Sequence, residues 1–338
     1  MRFGAHLPIA RSLADAPRRG QQIGCRALQL FCGNPRSYVK ARLEAAEVKE
    51  FREAVAGAGL EPVVVHATYL INLAAPDSNI YRLSVTALLD ELRRSAALGA
   101  RYYVTHCGSH KGAGEEGGRT RIREALRRAL DELPDAPQIL LENTAGTANS
   151  LGTTPRDLAA LLADFPADRV GVCFDTCHAL AAGYEIRTAE GVRKTLDELE
   201  GVVGLARLRC LHVNDSKGGL GSHLDRHEDI GKGAIGPAGF RAFFSDRRLW
   251  ELPAILETPL VKPEDDRRNL RRAVELAAEA GAVAPDVLKR LPSKAAPRAS
   301  PVKIVLPPAL AGAGKKAIAG AAASKARRAA RRRARTPS

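Results

Sequence analysis

Gln138-Ile-Leu-Leu-Glu142 is a short apolar run closed by a carboxylate. A run of this length and composition reads as a buried strand, and a strand buried on both faces belongs to a parallel sheet covered by helices. The same form recurs in Pro62-Val-Val-Val-His66, Val170-Gly-Val-Cys-Phe-Asp175, Arg209-Cys-Leu-His212 and Pro253-Ala-Ile-Leu-Glu257. With the weaker runs included, the pattern predicts eight strands, at about 2–6, 27–31, 62–66, 102–106, 138–142, 170–175, 208–212 and 253–257. Helical spacing fills the intervals, as in Leu83, Ala87, Leu88, Leu92 and Ala96, or Ile122, Leu126, Leu130 and Leu133. Eight such alternations predict an α/β fold, a (β/α)8 TIM barrel over residues 1–285. An open doubly wound sheet is the alternative, but no Gly-rich phosphate loop of the GxGxxG or Walker type follows the first strand.

Composition agrees with a body and an appendage of different character. The 338 residues are 45% hydrophobic, enough for a substantial core, and carry a formal net charge of +14. Residues 287–338 hold fourteen of the 52 Lys and Arg and no Asp or Glu, which leaves 38 basic against 38 acidic side chains in residues 1–286. The body is neutral and the tail is the cation. Residues 286–338, rich in Lys, Arg, Ala and Pro, lack the hydrophobicity to bury a core and are expected to be a disordered basic tail. A polycationic segment of this kind is expected to add sequence-independent, salt-sensitive affinity for nucleic acid. No charge-free apolar stretch long enough for a membrane span and no secretory signal is found, so the expected location is cytoplasmic, with nucleoid association through DNA. The six cysteines read as small buried hydrophobes, not as a disulfide framework.

Nine side chains stand at the ends of the predicted strands or in the loops just after them: His66, His106, Glu142, Asp175, His178, His212, Asp225, His227 and Glu257. A polar group at the rim of a core is costly unless something pairs with it, and a metal ion could satisfy many at once. In a (β/α)8 barrel the loops at the carboxyl ends of the strands build the active site, so positions far apart in sequence would converge on one mouth. Asp225 and His227, two residues apart, would point the same way in an extended segment. Taken singly, each local pair could equally be an aspartate orienting a histidine. Nine together at one mouth point to a metal centre.

At this point the chain resembles a known family. Gly171-Val-Cys-Phe-Asp-Thr-Cys-His-Ala-Leu-Ala-Ala-Gly-Tyr184, Leu211-His-Val-Asn-Asp-Ser-Lys217, Asp225-Arg-His-Glu-Asp-Ile-Gly-Lys-Gly-Ala-Ile-Gly236 and Ile255-Leu-Glu-Thr258 are similar to motifs of the endonuclease IV family of apurinic/apyrimidinic endonucleases, as are Glu142-Asn-Thr-Ala-Gly146 and Tyr69-Leu-Ile-Asn-Leu73. The likeness runs in order from Gly4-Ala-His6 to about residue 280 and leaves the tail out. It implies a monomeric barrel holding three zinc ions that hydrolyses the phosphodiester 5′ to an abasic site in double-stranded DNA through an activated hydroxide, leaving 3′-hydroxyl and 5′-deoxyribose phosphate ends. Activity on blocked 3′ ends, as a phosphodiesterase or phosphatase, is implied as well. By the same resemblance His66 and His106 take one zinc, Asp175, His212 and Glu257 a second, Glu142 bridges these two and assists catalysis, and His178, Asp225 and His227 take the third. Arg36, Tyr69 and Leu70 match the positions that enter the duplex while the base-less nucleotide flips out.

Details depart from the family pattern at Ala67-Thr68, Ser37-Tyr38 and Cys107, all in loops. Of the remaining histidines, His6 and His110 are expected behind the ligands and His223 at a phosphate or in solvent. Two other functions compete with the nuclease. A sugar isomerase or epimerase on a similar barrel would use one divalent metal and four ligands, here Glu142, Asp175, His212 and Glu257, and leaves five candidates unexplained. A non-catalytic DNA-binding protein rests on the tail alone.

Overall fold

The computed structural model describes residues 1–9 and 11–292. In chain order the elements are β1 (Arg2–His6), α1 (Asp15–Ile23), β2 (Ala27–Leu30), α2 (Ala45–Ala58), β3 (Val63–His66), α3 (Ser78–Leu98), β4 (Tyr102–His106), α4 (Glu115–Glu132), β5 (Gln138–Glu142), α5 (Pro155–Leu162), β6 (Val170–Asp175), α6 (Thr176–Ala181), α7 (Ala189–Val202), β7 (Leu208–His212), β8 (Asp215–Ser216), β9 (His227–Glu228), α8 (Gly236–Ser245), β10 (Pro253–Leu256), α9 (Asp265–Glu279) and α10 (Asp286–Arg290). Eight parallel strands close a barrel in the order β1-β10-β7-β6-β5-β4-β3-β2, with β1 also paired to β2. These are the eight expected strands, each within one residue of its predicted limits. The antiparallel pair β8-β9 stands apart from the barrel, and its strands of two polar residues each offer no apolar run to read.

Two layers of core hold the barrel. Ala27, Val64, Tyr102, Val104, Leu140, Cys173, Cys210 and Ile255 form one buried cluster, contributed by seven of the strands, and a larger one joins the sheet to the helices. All six cysteines are buried and free, as their place in the apolar runs predicts. At Gly4 a Cβ would lie 2.2 Å from the carbonyl oxygen of Ala27, so only glycine lets β1 approach β2 this closely. The helices begin and end on local signals: the Asp77 carboxylate accepts the Asn79 and Ile80 amides at the start of α3, and Gly99, in the left-handed region, closes it. Thr154 and Asp157 form a reciprocal capping box at α5, with Pro155 in its first turn.

The body does not stop at the expected boundary of 285. Helix α10 follows, and Val287, Leu288 and Leu291 pack against the core, so the ordered chain runs several residues further. Residues 293–338, which carry most of the expected tail, lie outside the described residues. Among the described residues no helix is long and apolar enough to cross a membrane.

Candidate metal centre at the mouth of the barrel

Parallel pairing brings the strand ends to one level. His106 is the register partner of Glu142, and Asp175 that of His212. His66 ends β3 and Glu257 follows the last residue of β10, so five strands deliver ligands directly and β10 delivers one in the next residue. His178 arrives by a different route: β6 passes straight into α6, whose N-cap Asp175 accepts the His178 amide at 2.8 Å. Asp225 and His227 come from the arm of the β8-β9 hairpin, where His227 pairs with Ser216.

The structure brings all nine predicted side chains together. Candidate ligand atoms of His66, His106 and Glu142 lie within 4.8 Å of one another, as do those of Glu142, Asp175, His212 and Glu257, and those of His178, Asp225 and His227. Glu142 is common to two groups. Its Oε2 is 3.3 Å from His66 Nε2 and 3.6 Å from His106 Nε2, while its Oε1 is 2.9 Å from His212 Nδ1 and 3.3 Å from His178 Nδ1. The floor of the site is closed and its outer side open: Glu142, Asp175 and His212 side chains are at most 1% exposed, against 39% for His106 and 51% for Asp225.

Whether these residues suit metal ions can be judged from the imidazoles. His66 Nδ1 lies 2.8 Å from the Ala67 carbonyl, His178 Nδ1 2.9 Å from that of Asn143, and His227 Nδ1 3.0 Å from that of Glu257. A carbonyl can only accept, so each Nδ1 carries a proton, and Nε2 is the nitrogen left to bind a metal ion when the ring is neutral. His212 is turned round, its Nε2 donating to Gln29 Oε1 at 2.9 Å and its Nδ1 facing the carboxylates. The buried Nε2 atoms of His178 and His227 have no hydrogen-bond partner, although Asp225 Oδ1 lies 3.2 and 3.7 Å away. Those separations lack hydrogen-bond geometry, and the three ligand-type atoms stand within 4.8 Å of one another. Imidazoles fixed by their second nitrogen, beside carboxylates, are a donor set that fits zinc and similar ions.

The imidazoles and carboxylates of the site shift one another's proton affinity in opposite directions. Burial opposes charge on His178 and His212, yet Asp175 and Asp225 around the first and Glu257 and Glu142 around the second raise both imidazoles well above the ordinary value. His66 is raised in the same way, against burial, by Glu142 and Glu257. Burial opposes the anionic form of Glu142 and Glu257 too, but the surrounding imidazoles hold both carboxyls well below the usual range. Burial dominates at His106 and His6, which are shifted down.

Several polar residues that support the ligands escape a search for ligand types. Gln29 donates to Glu257 Oε1 at 2.5 Å while accepting from His212. Asn214 donates to Asp175 Oδ2 at 2.6 Å and accepts the Glu257 amide at 2.7 Å, and Asn143 brackets the Asp175 backbone from both sides. The available signal was position: Asn143 and Asn214 come one and two residues after strand ends, and Gln29 interrupts the apolar run Ala-Leu-Gln-Leu. His6 stands where expected, with Nδ1 3.2 Å from Glu257. His110 does not: its Nδ1 accepts the Gly114 amide at the start of α4. His223 is exposed, with Nδ1 3.1 Å from the Ala145 carbonyl.

Arg36, Tyr69 and Leu70 occupy the rim, all exposed, on the loops after β2 and β3. The Tyr69 ring meets Phe31 edge-on with centroids 5.1 Å apart, and Phe31 meets the ring of His66 at 5.8 Å, so the tyrosine stands beside the first ligand group.

Residues 17–282 match the family model described as Xylose isomerase-like TIM barrel. A protein of Methanoculleus marisnigri named "Probable endonuclease 4" is 47% identical over 276 residues, 81% of this chain and 98% of its own. Its namesake in Chloroflexus aurantiacus is 44% identical over 274 residues, 80% of this chain and 95% of its own. Among solved structures, endonuclease IV from Thermus thermophilus superposes with a TM-score of 0.74 at 39% identity, covering 82% of this chain and all of that one. A D-tagatose 3-epimerase-like protein superposes at 0.64 with 20% identity, a likeness of fold alone.

Proposed function

The chain belongs to the endonuclease IV family, and from that premise we propose that it is a DNA repair hydrolase that cuts the phosphodiester 5′ to an abasic site in duplex DNA, leaving 3′-hydroxyl and 5′-deoxyribose phosphate ends. The observation that carries this reading is the convergence of nine ligand-type side chains in three groups, two of them sharing Glu142. The isomerase reading needs one ion on Glu142, Asp175, His212 and Glu257, and it gives no role to the bare Nε2 atoms of His178 and His227.

His66 and His106 would hold one zinc ion, Asp175, His212 and Glu257 a second, with Glu142 between them, and His178, Asp225 and His227 a third. Ions held so supply three things: a water acidic enough to attack at neutral pH, neutralisation of charge on the phosphate, and stabilisation of the departing 3′ oxygen. The chain's own part is positioning and proton transfer. Glu142, buried between the ligand groups with Oε2 facing His66 and Oε1 facing His212, would be the base that takes the proton of the attacking water. The open side at His106 and Asp225 is where the phosphate enters, and the buried floor keeps bulk water from the back of the site. Arg36, Tyr69 and Leu70 probe the duplex beside the lesion, which is cheapest to extrude where no base pair holds it. Blocked 3′ ends are a second substrate class for the same centre. The protein acts as a monomer in the cytoplasm, on the nucleoid.

Incision of a duplex with one abasic site tests this directly. Cleavage 5′ to the site, abolished by a strong chelator and restored by zinc, is the expected result, with about three zinc ions per chain. Glu142→Gln should still bind the duplex and fail to cut it. Cleavage on the 3′ side, or full activity in chelator, would refute the reading.

A further inference from the structure

One carboxylate outside the metal centre joins the two loops that carry the exposed rim residues. Glu91 lies on α3 with its side chain only 2% exposed. Its Oε1 is 3.0 Å from Lys40 Nζ, and the lysine, also 2% exposed, comes from the loop after β2 that bears Arg36. The contact is an ion pair without directed hydrogen-bond geometry, since Oε1 has no hydrogen-bond partner. The other oxygen, Oε2, accepts the Thr68 amide at 3.1 Å and the Tyr103 hydroxyl at 2.8 Å. Thr68 immediately precedes Tyr69 and Leu70 in the loop after β3. Thus each oxygen serves a different loop, and the barrel strand β4 anchors the pair through Tyr103.

Further contacts make the two loops one unit. The Thr68 hydroxyl donates to the Pro35 carbonyl, one residue before Arg36, and the Lys40 ammonium to that of Ser37, one residue after. Tyr38 donates to the Leu70 carbonyl at 2.7 Å. From α3, Arg94 reaches Cys32 and Ala41 carbonyls at 3.0 and 2.8 Å, closing both ends of the β2 loop. The Lys40 stem runs across Gly33, where a Cβ would sit 2.8 Å from Lys40 Cδ. A buried lysine and glutamate are costly to desolvate and are accounted for when each charge also organises backbone that could not otherwise be held. None of these groups lies among the nine ligand-type side chains.

We propose that Lys40 and Glu91 are positioning residues that lock the β2 and β3 loops into one rigid probe, so that Arg36, Tyr69 and Leu70 meet the duplex together and lesion discrimination depends on this buried pair. The proposal rests on the nuclease reading above. It assigns the pair no part in bond cleavage. Loosening the probe should weaken recognition of the abasic duplex while leaving the metal centre able to hydrolyse a small phosphodiester that never touches the loops.

The test uses the zinc-loaded full chain with Lys40→Met/Glu91→Gln, Thr68→Val and Tyr38→Phe variants. Substrates are an abasic duplex, the matching intact duplex and bis-p-nitrophenyl phosphate. For the double variant, KM on the abasic duplex should rise by about tenfold or more. For Thr68→Val and Tyr38→Phe the rise should be several-fold, and in every variant kcat, zinc content, small-diester turnover and intact-duplex binding should stay within about twofold of wild type. An unchanged KM in folded variants overturns the proposal. So does a parallel loss of small-diester turnover, which would make the pair a support of the metal centre. If the double variant fails to fold, Thr68→Val and Tyr38→Phe, which bury no uncompensated charge, decide the matter by the same criteria. Failure of wild type to incise the abasic duplex would instead sink the nuclease reading itself.

Discussion

Four of the five candidate ligand imidazoles at the mouth have a partner for the second nitrogen. His66, His178 and His227 are oriented by backbone carbonyls, which no side-chain substitution can remove, whereas His212 relies on Gln29. Protons and metal ions compete for the same lone pairs, because a ligand imidazole must be neutral. The carboxylates raise His66, His178 and His212 above the ordinary value, so in metal-free protein these rings remain protonated to higher pH than a free histidine would. The sign follows. On the proposed reading, zinc binding should release protons, and affinity should fall as pH drops through the raised imidazole values and level off above them. Calorimetry of zinc binding in buffers of different ionisation enthalpy should show release of more than one proton per chain near pH 6.5, the unshifted imidazole value. Proton-neutral binding would contradict the electrostatics described here.

At the level of elements, the hairpin arm is the part of the site that the barrel does not build, and a buried anion holds it. Asp215 in β8 accepts the amides of Ser216, Gly231, Gly233 and Ile235, each at 2.9 Å, with Gly236 at 3.3 Å. Only glycine fits at 233, where a Cβ would lie 2.5 Å from Asp215 Oδ1. The carboxylate thereby folds residues 231–236 around the strand that pairs with His227. An asparagine in its place would put an amide donor against backbone donors. For Asp215→Asn we expect a loss of about 2–3 kcal/mol in urea unfolding. If the proposed three-zinc centre is right, zinc content should fall by about one ion, from the group of His178, Asp225 and His227, while the other ions stay. Wild-type stability and full zinc content in this variant would show that the hairpin is held by other means.

For the whole molecule, the charge division between a neutral body and a cationic tail predicts separable contributions to DNA binding. The body continues through Leu291, which lies against Gly24, so the point of truncation matters. Ending the chain after residue 285 would strip Val287, Leu288 and Leu291 from the core and should lower stability. Ending it after residue 292 removes twelve Lys and Arg and no acidic residue. That truncation should weaken duplex binding by roughly tenfold at moderate salt and flatten the dependence of affinity on salt, with incision at saturating DNA retained. Salt titration of wild type against the truncated chain measures it, and loss of incision at saturation would show that the tail belongs to the active site.

Strand positions were legible in the sequence because apolar runs are local: Gln138-Ile-Leu-Leu-Glu142 announces both a buried strand and a polar group at its end. Barrel closure then followed from the number of such runs, and with it the convergence of ligand types at one rim. The β8-β9 hairpin was not legible, since a strand of two polar residues has no period. Nor was the end of the body, expected at residue 285, because a basic composition begins before the last apolar contacts of α10 end. The roles of Gln29, Asn214, Asp215 and the Lys40–Glu91 pair belong to tertiary structure alone. Gln29 and His212 are 183 residues apart, and Lys40 and Glu91 sit on different elements. Sequence determined which residues could bind and where strands present them; only the folded chain decided which nitrogens of His178 and His227 are left bare and which loops are tied together, because hydrogen bonds and ion pairs are set by distance through space.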